Sequence, residues 1–525
     1  MSRKALLILC LLIAPASARA AGWTTSGVEI RDPAGQPFVI SSVNWYGAET
    51  RIFVPHGLWS ENYTTLLDQI KALGFSTIRL PFANETWQAN PKPSRNNIGG
   101  CPACQNKRAR DVLALVVNYA GSIGLHIVMD NHRSDGGNSA QGNGLWYLTS
   151  GRNSYTEQKW INDWVSVLRW THGIPQTQGA PDTITVNYLA SDGFPTVIGF
   201  DLRNEPHTVC QGGCNYLGGS TWGTGDGINS AVNPNPNPFS PACVATGTCH
   251  DWRLAAERAG DTILGEAAAN GWDYPLIMVE GISQYPTATG TPANGPYDFY
   301  VWGGSLQGVN GNAGNPGAPI VLNAGGNAAG LGPAVSNQVV YSAHDYGPTL
   351  YQNPWFNATT CYASGCSSSS LADLWNRQWA FINTGNVNPV WPGHPSYPWA
   401  NTGATPYTVA PLWLGEFGTG NASGDLYSTG AGSQGQWFTD MVNFIQSSFA
   451  PTATNDSGIP VQSLHFSYWA LNGNDSYGIL TSDFSTVQTP AKVYTFLCAI
   501  QRGPLALPPG PGAGQCGSMG ALPNP

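Results

Sequence analysis

Two stretches of this chain set a glutamate where an apolar run comes to its end. Val197-Ile198-Gly199-Phe200 leads into Asp201-Leu202-Arg203-Asn204-Glu205-Pro206-His207, so Glu205 stands between an amide and a proline. In Leu412-Trp413-Leu414-Gly415-Glu416-Phe417 the acid Glu416 interrupts the run itself. Other runs end in equally reactive types: Arg79 in Thr77-Ile78-Arg79-Leu80-Pro81, then Asp130-Asn131-His132, His344-Asp345-Tyr346 and Tyr468-Trp469. Two carboxyls brought face to face are what cleavage of an acetal needs: one protonates the departing oxygen, the other deals with the carbon. Arg79 and the Tyr346 hydroxyl would favour the ionised form of one acid, and a buried, less charged setting would keep the other protonated. The Trp469 face and the Asn204 amide suit the ring and a hydroxyl of a sugar. Singly, each residue has a plainer use, since a proline can end a strand, an arginine can pair with an acid, and His or Trp can pack in a core. The agreement among so many run ends favours chemistry.

That agreement requires a fold that carries all these ends to one place. The runs are Phe38–Asn44, Ser76–Phe82, His126–His132, Val197–Glu205, Leu276–Gly281, Val339–Tyr346, Leu412–Phe417 and His465–Leu471. They are almost continuously apolar rather than alternating, as parallel strands covered on both faces are. Helical periodicity fills the gaps at residues 61–74, 107–124, 156–170, 251–267, 371–383, 435–446 and 489–501. In the first of these, Leu66, Ile70 and Leu73 share a face and Gly74 stands at the C-terminal cap position. Strict alternation predicts an α/β chain closed as a (β/α)8 barrel, with strand ends converging on one rim. The fifth unit is the weak one, because residues 282–336 offer no helical period. An open doubly wound sheet is the alternative, and it leaves unexplained why candidate chemistry follows so many strands. The surplus over the roughly 250 residues of an ordinary barrel sits in loops 133–155, 207–250, 282–337, 347–370 and 384–411 of the 525-residue chain.

Composition narrows the partners. Charged residues make up 10% of the chain and the net charge is −9, with no basic cluster to neutralise phosphates, so nucleic acid is excluded as a partner. The sparse charge also fits an acidic working environment. Arg3 and Lys4, the apolar stretch Ala5–Ile13 and Ala18-Arg19-Ala20 read as a secretory signal peptide over residues 1–20. The stretch is too short to span a bilayer, and no later segment is apolar enough to do so. The expectation is a secreted protein, off the membrane after signal removal and monomeric. One catalytic domain covers 21–503 and a Pro/Gly-rich tail covers 504–525. Cys10 would leave with the signal. Eight of the ten remaining cysteines form close pairs, Cys101/Cys104, Cys210/Cys214, Cys243/Cys249 and Cys361/Cys366, with Cys498 and Cys516 near the C-terminus. Local disulfides pinning long loops are the reading an oxidising compartment favours.

The motifs VNWYG (43–47), TIRLPF (77–82), DNH (130–132), GFDLRNEPH (199–207), YSAHDYGP (341–348), WLGEFG (413–418) and SYWALN (467–472) together resemble glycoside hydrolase family 5. HGLWSENYTTLLDQIKALG (56–74), DWRLAAERAGDTIL (251–264) and VWGGSLQG (301–308) extend the likeness to its secreted bacterial endo-β-1,4-glucanases. The resemblance implies Glu205 as general acid/base and Glu416 as nucleophile of a retaining mechanism, with no metal or organic cofactor. It implies that Asn204 binds the sugar 2-hydroxyl, and that Arg79 and Tyr346 hold the nucleophile. His132 and His344 would line the cleavage subsite and Trp469 would be its platform. Trp45, Trp302 and Tyr351 would extend the cleft. Residues 388–410 and a long 207–250 loop depart from that branch at the rim. β-Mannan, xyloglucan and mixed-linkage β-glucan therefore stay open as substrates, and a non-catalytic carbohydrate-binding barrel is the alternative of another class. No carbohydrate-binding module is recognisable, which points to soluble or amorphous glucan.

Overall fold

The computed structural model describes residues 22–149, 154–211, 216–223, 250–286, 297–312, 315–322, 337–356, 369–384, 410–447 and 464–501. The signal-peptide stretch, the tail, the 388–409 part of the insertion and most of the paired cysteines lie outside them.

Eight parallel strands close into a barrel in sequence order: β1 (Ser41–Asn44), β2 (Thr77–Ala83), β3 (His126–Arg133), β4 (Val197–Asp201), β5 (Leu276–Glu280), β6 (Val339–Tyr346), β7 (Leu412–Gly418) and β8 (Leu464–Tyr468). The ring is sealed by β8 against β1, with Phe466 beside Ser41 and Tyr468 beside Val43. The apolar runs thus become barrel strands, with three boundary corrections, one being that β8 stops at Tyr468 and leaves Trp469 and Leu471 beyond it. Phe38 belongs to a small antiparallel sheet at the N-terminus, where it pairs with Ile30. Asn204 and Glu205 lie past the last paired residue of β4, on the turn that follows.

Helices follow the strands: α1 (Tyr63–Ala72), α2 (Ala109–Ser122), α3 (Glu157–Thr171), α4 (Trp252–Asn270), α5 (Gln307–Asn310), α6 (Ser369–Trp375, continued through a π-helical turn Asn376–Ala380 and Phe381–Thr384), α7 (Gln434–Ser447) and α8 (Lys492–Leu497 with Cys498–Ile500). Helix α1 buries Leu66, Leu67 and Ile70, and Gly74 just beyond it takes φ +89°, the left-handed conformation glycine adopts without a Cβ clash. Thr156 caps α3 by accepting from the Lys159 amide. Among the described residues of the weak fifth unit the helix has four residues.

Two apolar cores result. The larger lies between barrel and helices. The smaller fills the barrel floor with Val128, Ile198, Met278, Val340 and Trp413, and is closed from below by Trp23, Ile30 and Ile40. Side chains two apart on a strand share a face. Asp130 therefore points inward above Val128, and Glu280 above Met278. This is why the runs look continuously apolar until their last inward position. On β7 the spacing breaks. Leu414 pairs with Ala343 but Glu416 with His344, so Gly415 is the extra residue of a β-bulge. The bulge puts Glu416, three residues after Trp413, back on the inner face. A Cβ on Gly415 would fall 2.6 Å from Ser342 Oγ and 3.1 Å from His344 Nε2.

Cys101 and Cys104 form a disulfide, the one predicted local pair that lies wholly within described, placed residues. Cys498 is disulfide-bonded as well. Among the described residues no helix is long and apolar enough to cross a membrane.

Candidate active site

A layer of charge rests on the apolar floor. Arg79, fully buried, sits with its guanidinium 5.8 Å from the centre of the Trp413 ring. Its Nη1 donates to Glu416 Oε1 (2.6 Å) and to Asn44 Oδ1 (3.0 Å). Its Nε donates to Asp201 Oδ2 (2.8 Å), and its Nη2 to Asn204 Oδ1 (2.9 Å) and Glu280 Oε1 (3.1 Å), with Asp130 Oδ2 at 3.2 Å. The Tyr346 hydroxyl donates to the other oxygen of Glu416 at 2.8 Å. His344 lies between the two predicted acids. Its Nδ1 is 3.2 Å from Glu205 Oε1 and 3.6 Å from Glu416 Oε2. One carboxylate oxygen of Glu205, one of Glu416 and a ring nitrogen of His344 all fall within 4.8 Å of one another.

That trio has the composition and spacing of a metal-binding set, but each member is already engaged by the others, by Arg79 or by Tyr346. The charge balance explains their protonation. Asp130, Asp201, Glu205, Glu280 and Glu416 crowd around one arginine and one histidine, so they cannot all ionise. Burial pushes the Glu205 carboxyl up to about 7, against an opposing hydrogen bond from His344 and with help from the Glu416 charge. Burial also raises Asp130, Asp201 and Glu280. Glu416 goes the other way. Burial would raise it, but His344, Arg79, His132 and the Tyr346 hydroxyl outweigh that and hold it below the usual carboxylate range. His344 is held well above its ordinary value because Glu280 and Glu416 outweigh its burial, whereas burial keeps His132 well below. One acid is biased to carry a proton and its neighbour to lose it.

Local backbone sets Glu205 apart. Its φ is +47°, a left-handed conformation uncommon for a residue with a side chain. Its amide donates to Glu280 Oε2 at 2.6 Å, and its carbonyl is 2.8 Å from His207 Nδ1. The side chain retains 15% exposure, so it opens to the mouth while Arg79 beneath it is sealed. Asn204, with its Oδ1 on Arg79, has a buried Nδ2 without a partner.

Most predicted residues gather here. His132 places Nδ1 2.7 Å from Asp130 Oδ2, and its ring is 5.8 Å from that of Trp469. Trp469 is half-buried, donates to Asp475 Oδ2 (3.2 Å) and lies parallel to Tyr46 at 5.1 Å. Trp302 is 41% exposed and stacks on His207 at 3.9 Å, and Tyr351 is 66% exposed. Trp45 is a correction. It is 0% exposed, donates to the His56 carbonyl and packs in the core, so it has no face to offer a cleft. The aromatic side chain at the rim is its neighbour Tyr46. Glu280, Asp201, Asn44 and Asp130, the partner of His132, belong to the site as well. Glu280 had a signal: LIMVE (276–280) is an apolar run ending in an acid, as at Glu416.

An acid kept protonated beside an acid kept ionised, on the C-terminal rim of a (β/α)8 barrel, defines the class of barrel glycoside hydrolases. The chain belongs within that class to the cellulase family, glycosyl hydrolase family 5, whose family model matches residues 32–394. It is 30% identical over 482 residues to an endoglucanase of Paenibacillus polymyxa, covering 91% of this chain and 87% of the relative. It is 28% identical over 460 residues to the major extracellular endoglucanase of Xanthomonas campestris, covering 88% and 67%. Among solved structures, a variant endocellulase of Pyrococcus horikoshii complexed with cellotetraose aligns over 92% of this chain and all of its own (100%), with TM-score 0.60 and 25% identity.

Proposed function

We propose that this protein is a secreted, monomeric endo-β-1,4-glucanase that hydrolyses internal glucosidic bonds with retention. The observation that carries the reading is the pair Glu205 and Glu416, with carboxylate oxygens within 4.8 Å and opposite protonation bias. Retaining enzymes hold their carboxyls about 5–5.5 Å apart, whereas inverting ones need about 6.5–9.5 Å for an intervening water. In this reading Glu416 attacks the anomeric carbon while Glu205 protonates the leaving oxygen, and Glu205 then takes a proton from the water that releases the glycosyl-enzyme. Arg79 and Tyr346 keep the nucleophile ionised. Asn204 Nδ2, buried and unpartnered, suits the sugar 2-hydroxyl, and Trp469 is the platform beside it. Trp302 and Tyr351 offer exposed faces to neighbouring sugars. Similarity to endoglucanases of two bacteria and to an endocellulase crystallised with cellotetraose favours β-1,4-glucan.

The test is parallel measurement of reducing ends released from carboxymethylcellulose, mannan and xyloglucan, with proton NMR of fresh product. Carboxymethylcellulose should be the best substrate and the β-anomer should appear first. Initial α-anomer would remove the retaining assignment, and activity in Glu416→Gln equal to the parent would remove Glu416 from the mechanism.

A further inference from the structure

Glu280, the last residue of β5, is fully buried and so cannot touch a sugar, yet both its oxygens are committed at the centre of the site. Oε2 accepts the main-chain N–H of Glu205 at 2.6 Å. Oε1 accepts from Arg79 Nη2 at 3.1 Å and lies 3.2 Å from His344 Nε2. One carboxylate thus reaches the backbone of one predicted acid, the arginine that holds the other, and the histidine between them. We propose that Glu280 is the positioning residue of the acid/base: it holds Glu205 in its left-handed turn and orients the His344 ring against the Glu205 carboxyl. The assignment rests on Glu205 being the acid/base.

A left-handed non-glycine residue persists only where its surroundings hold it there. The Glu205 N–H is held by a charge-assisted bond of the short, strong kind. Burial pushes the Glu280 carboxyl up to about 7. Nevertheless both its oxygens face N–H groups, so a proton on either would have no acceptor, and the geometry favours the carboxylate. With His344 Nε2 turned to Glu280, Nδ1 faces Glu205 Oε1, which leaves the other Glu205 oxygen to carry a proton toward a leaving group. The loop above closes the arrangement. Gly303, at φ +69°, passes so near that a Cβ would lie 2.6 Å from Glu280 Oε2 and 3.3 Å from Glu205 Cα. Its carbonyl accepts from the Gly281 amide at 3.1 Å.

The experiment compares full-chain Glu280→Gln, Gly303→Ala and Glu205→Ala on cellotetraose, whose leaving group needs protonation, and on 2,4-dinitrophenyl β-cellobioside, whose leaving group does not. The glutamine amide must point a donor at the Glu205 N–H or at Arg79 and His344. A displacement of about 1 Å can cost about 100-fold. Glu280→Gln should therefore lose about 100-fold in kcat/KM on cellotetraose and far less on the dinitrophenyl substrate, with the basic limb of the pH profile shifted. Equal losses on both and an unshifted basic limb of the pH profile would overturn the assignment. Should Glu280→Gln prove unfolded by circular dichroism, Gly303→Ala decides, since it presses on Glu280 without removing a charge. The same leaving-group signature supports the assignment, and equal losses overturn it. Glu205→Ala separates the two layers. If it shows no leaving-group dependence and no azide rescue, the acid/base reading falls and takes this assignment with it. If it behaves as an acid/base variant while Glu280→Gln does not, the positioning role alone is lost.

Discussion

Replacing Tyr346 by Phe removes one oxygen and nothing else from the charged layer. The hydroxyl donates to Glu416 Oε2 at 2.8 Å, and the tyrosine is buried. A hydrogen bond to a charged group contributes about 1.5–3 kcal/mol. Arg79 Nη1 at 2.6 Å from Oε1 and His344 Nδ1 at 3.6 Å from Oε2 remain, so Glu416 is still held and the lower half of that range applies. At about 1.4 kcal/mol per tenfold, kcat/KM should fall by about 10-fold to 40-fold in mildly acidic buffer. The loss should depend on pH, with a definite sign. In the proposed mechanism Glu416 attacks only when ionised, and the hydroxyl is one of the groups holding it below the usual range. Without it burial gains ground, the proton is held to higher pH, and the acid limb of kcat/KM moves upward. The assay is initial rate on a soluble aryl cellobioside from pH 4 to 8, with a urea titration to show that the fold is intact. An acid limb that stays put while activity falls uniformly would refute the claim that Tyr346 acts through the charge of Glu416.

Gly415→Ala should cost about 1–3 kcal/mol in urea unfolding, as overpacking does, and should lower activity further, because the new methyl must displace Ser342 or His344. Asp345 turns out of the barrel between His344 and Tyr346 and accepts from Tyr300, Trp379 (3.2 Å) and Trp437 (3.0 Å). Burial raises its carboxyl from an ordinary 3.8 to about 7. A raised folded value means that its stabilising contribution is complete below the unfolded value and is lost as pH climbs toward 7. Asp130 and Asp201 are shifted the same way, so the melting temperature should decline from pH 5 to pH 8, and a rise across that window would contradict it. Trp302→Ala should raise KM on cellotetraose with kcat little changed, whereas Trp45→Ala should lower the unfolding free energy by the roughly 3–5 kcal/mol of a large core cavity, and the melting temperature with it. A KM effect from Trp45 instead would return that side chain to the cleft.

The barrel was legible because its strands are buried on both faces and its helices are not, two patterns that differ in period. What hid from the sequence follows from the same physics. Glu280 looks like the end of an ordinary run, and only barrel closure brings it beneath Glu205. Phe38 looks like part of the first strand because both it and the strand are apolar, but its partner is Ile30 in a separate sheet. Trp45 and Tyr46 are adjacent aromatics, so composition offers them equally to the cleft. Just beyond the end of β1 the chain turns Trp45 into the core and leaves Tyr46 partly exposed beside Trp469. The bulge at Gly415 hides for the opposite reason, since an inward Glu416 breaks the period that Trp413 sets.

The seam between the last strand and the first has a consequence for when the molecule can work. Asn44, which steadies Arg79, itself leans on the Gly415 carbonyl, the Ser467 hydroxyl and the Tyr468 carbonyl. The arginine therefore gains its full set of neighbours only once both termini of the barrel have met. A chain cut between β7 and β8, or one that has emerged from synthesis only that far, holds both glutamates yet has no assembled centre, so turnover counts only molecules whose ring is shut.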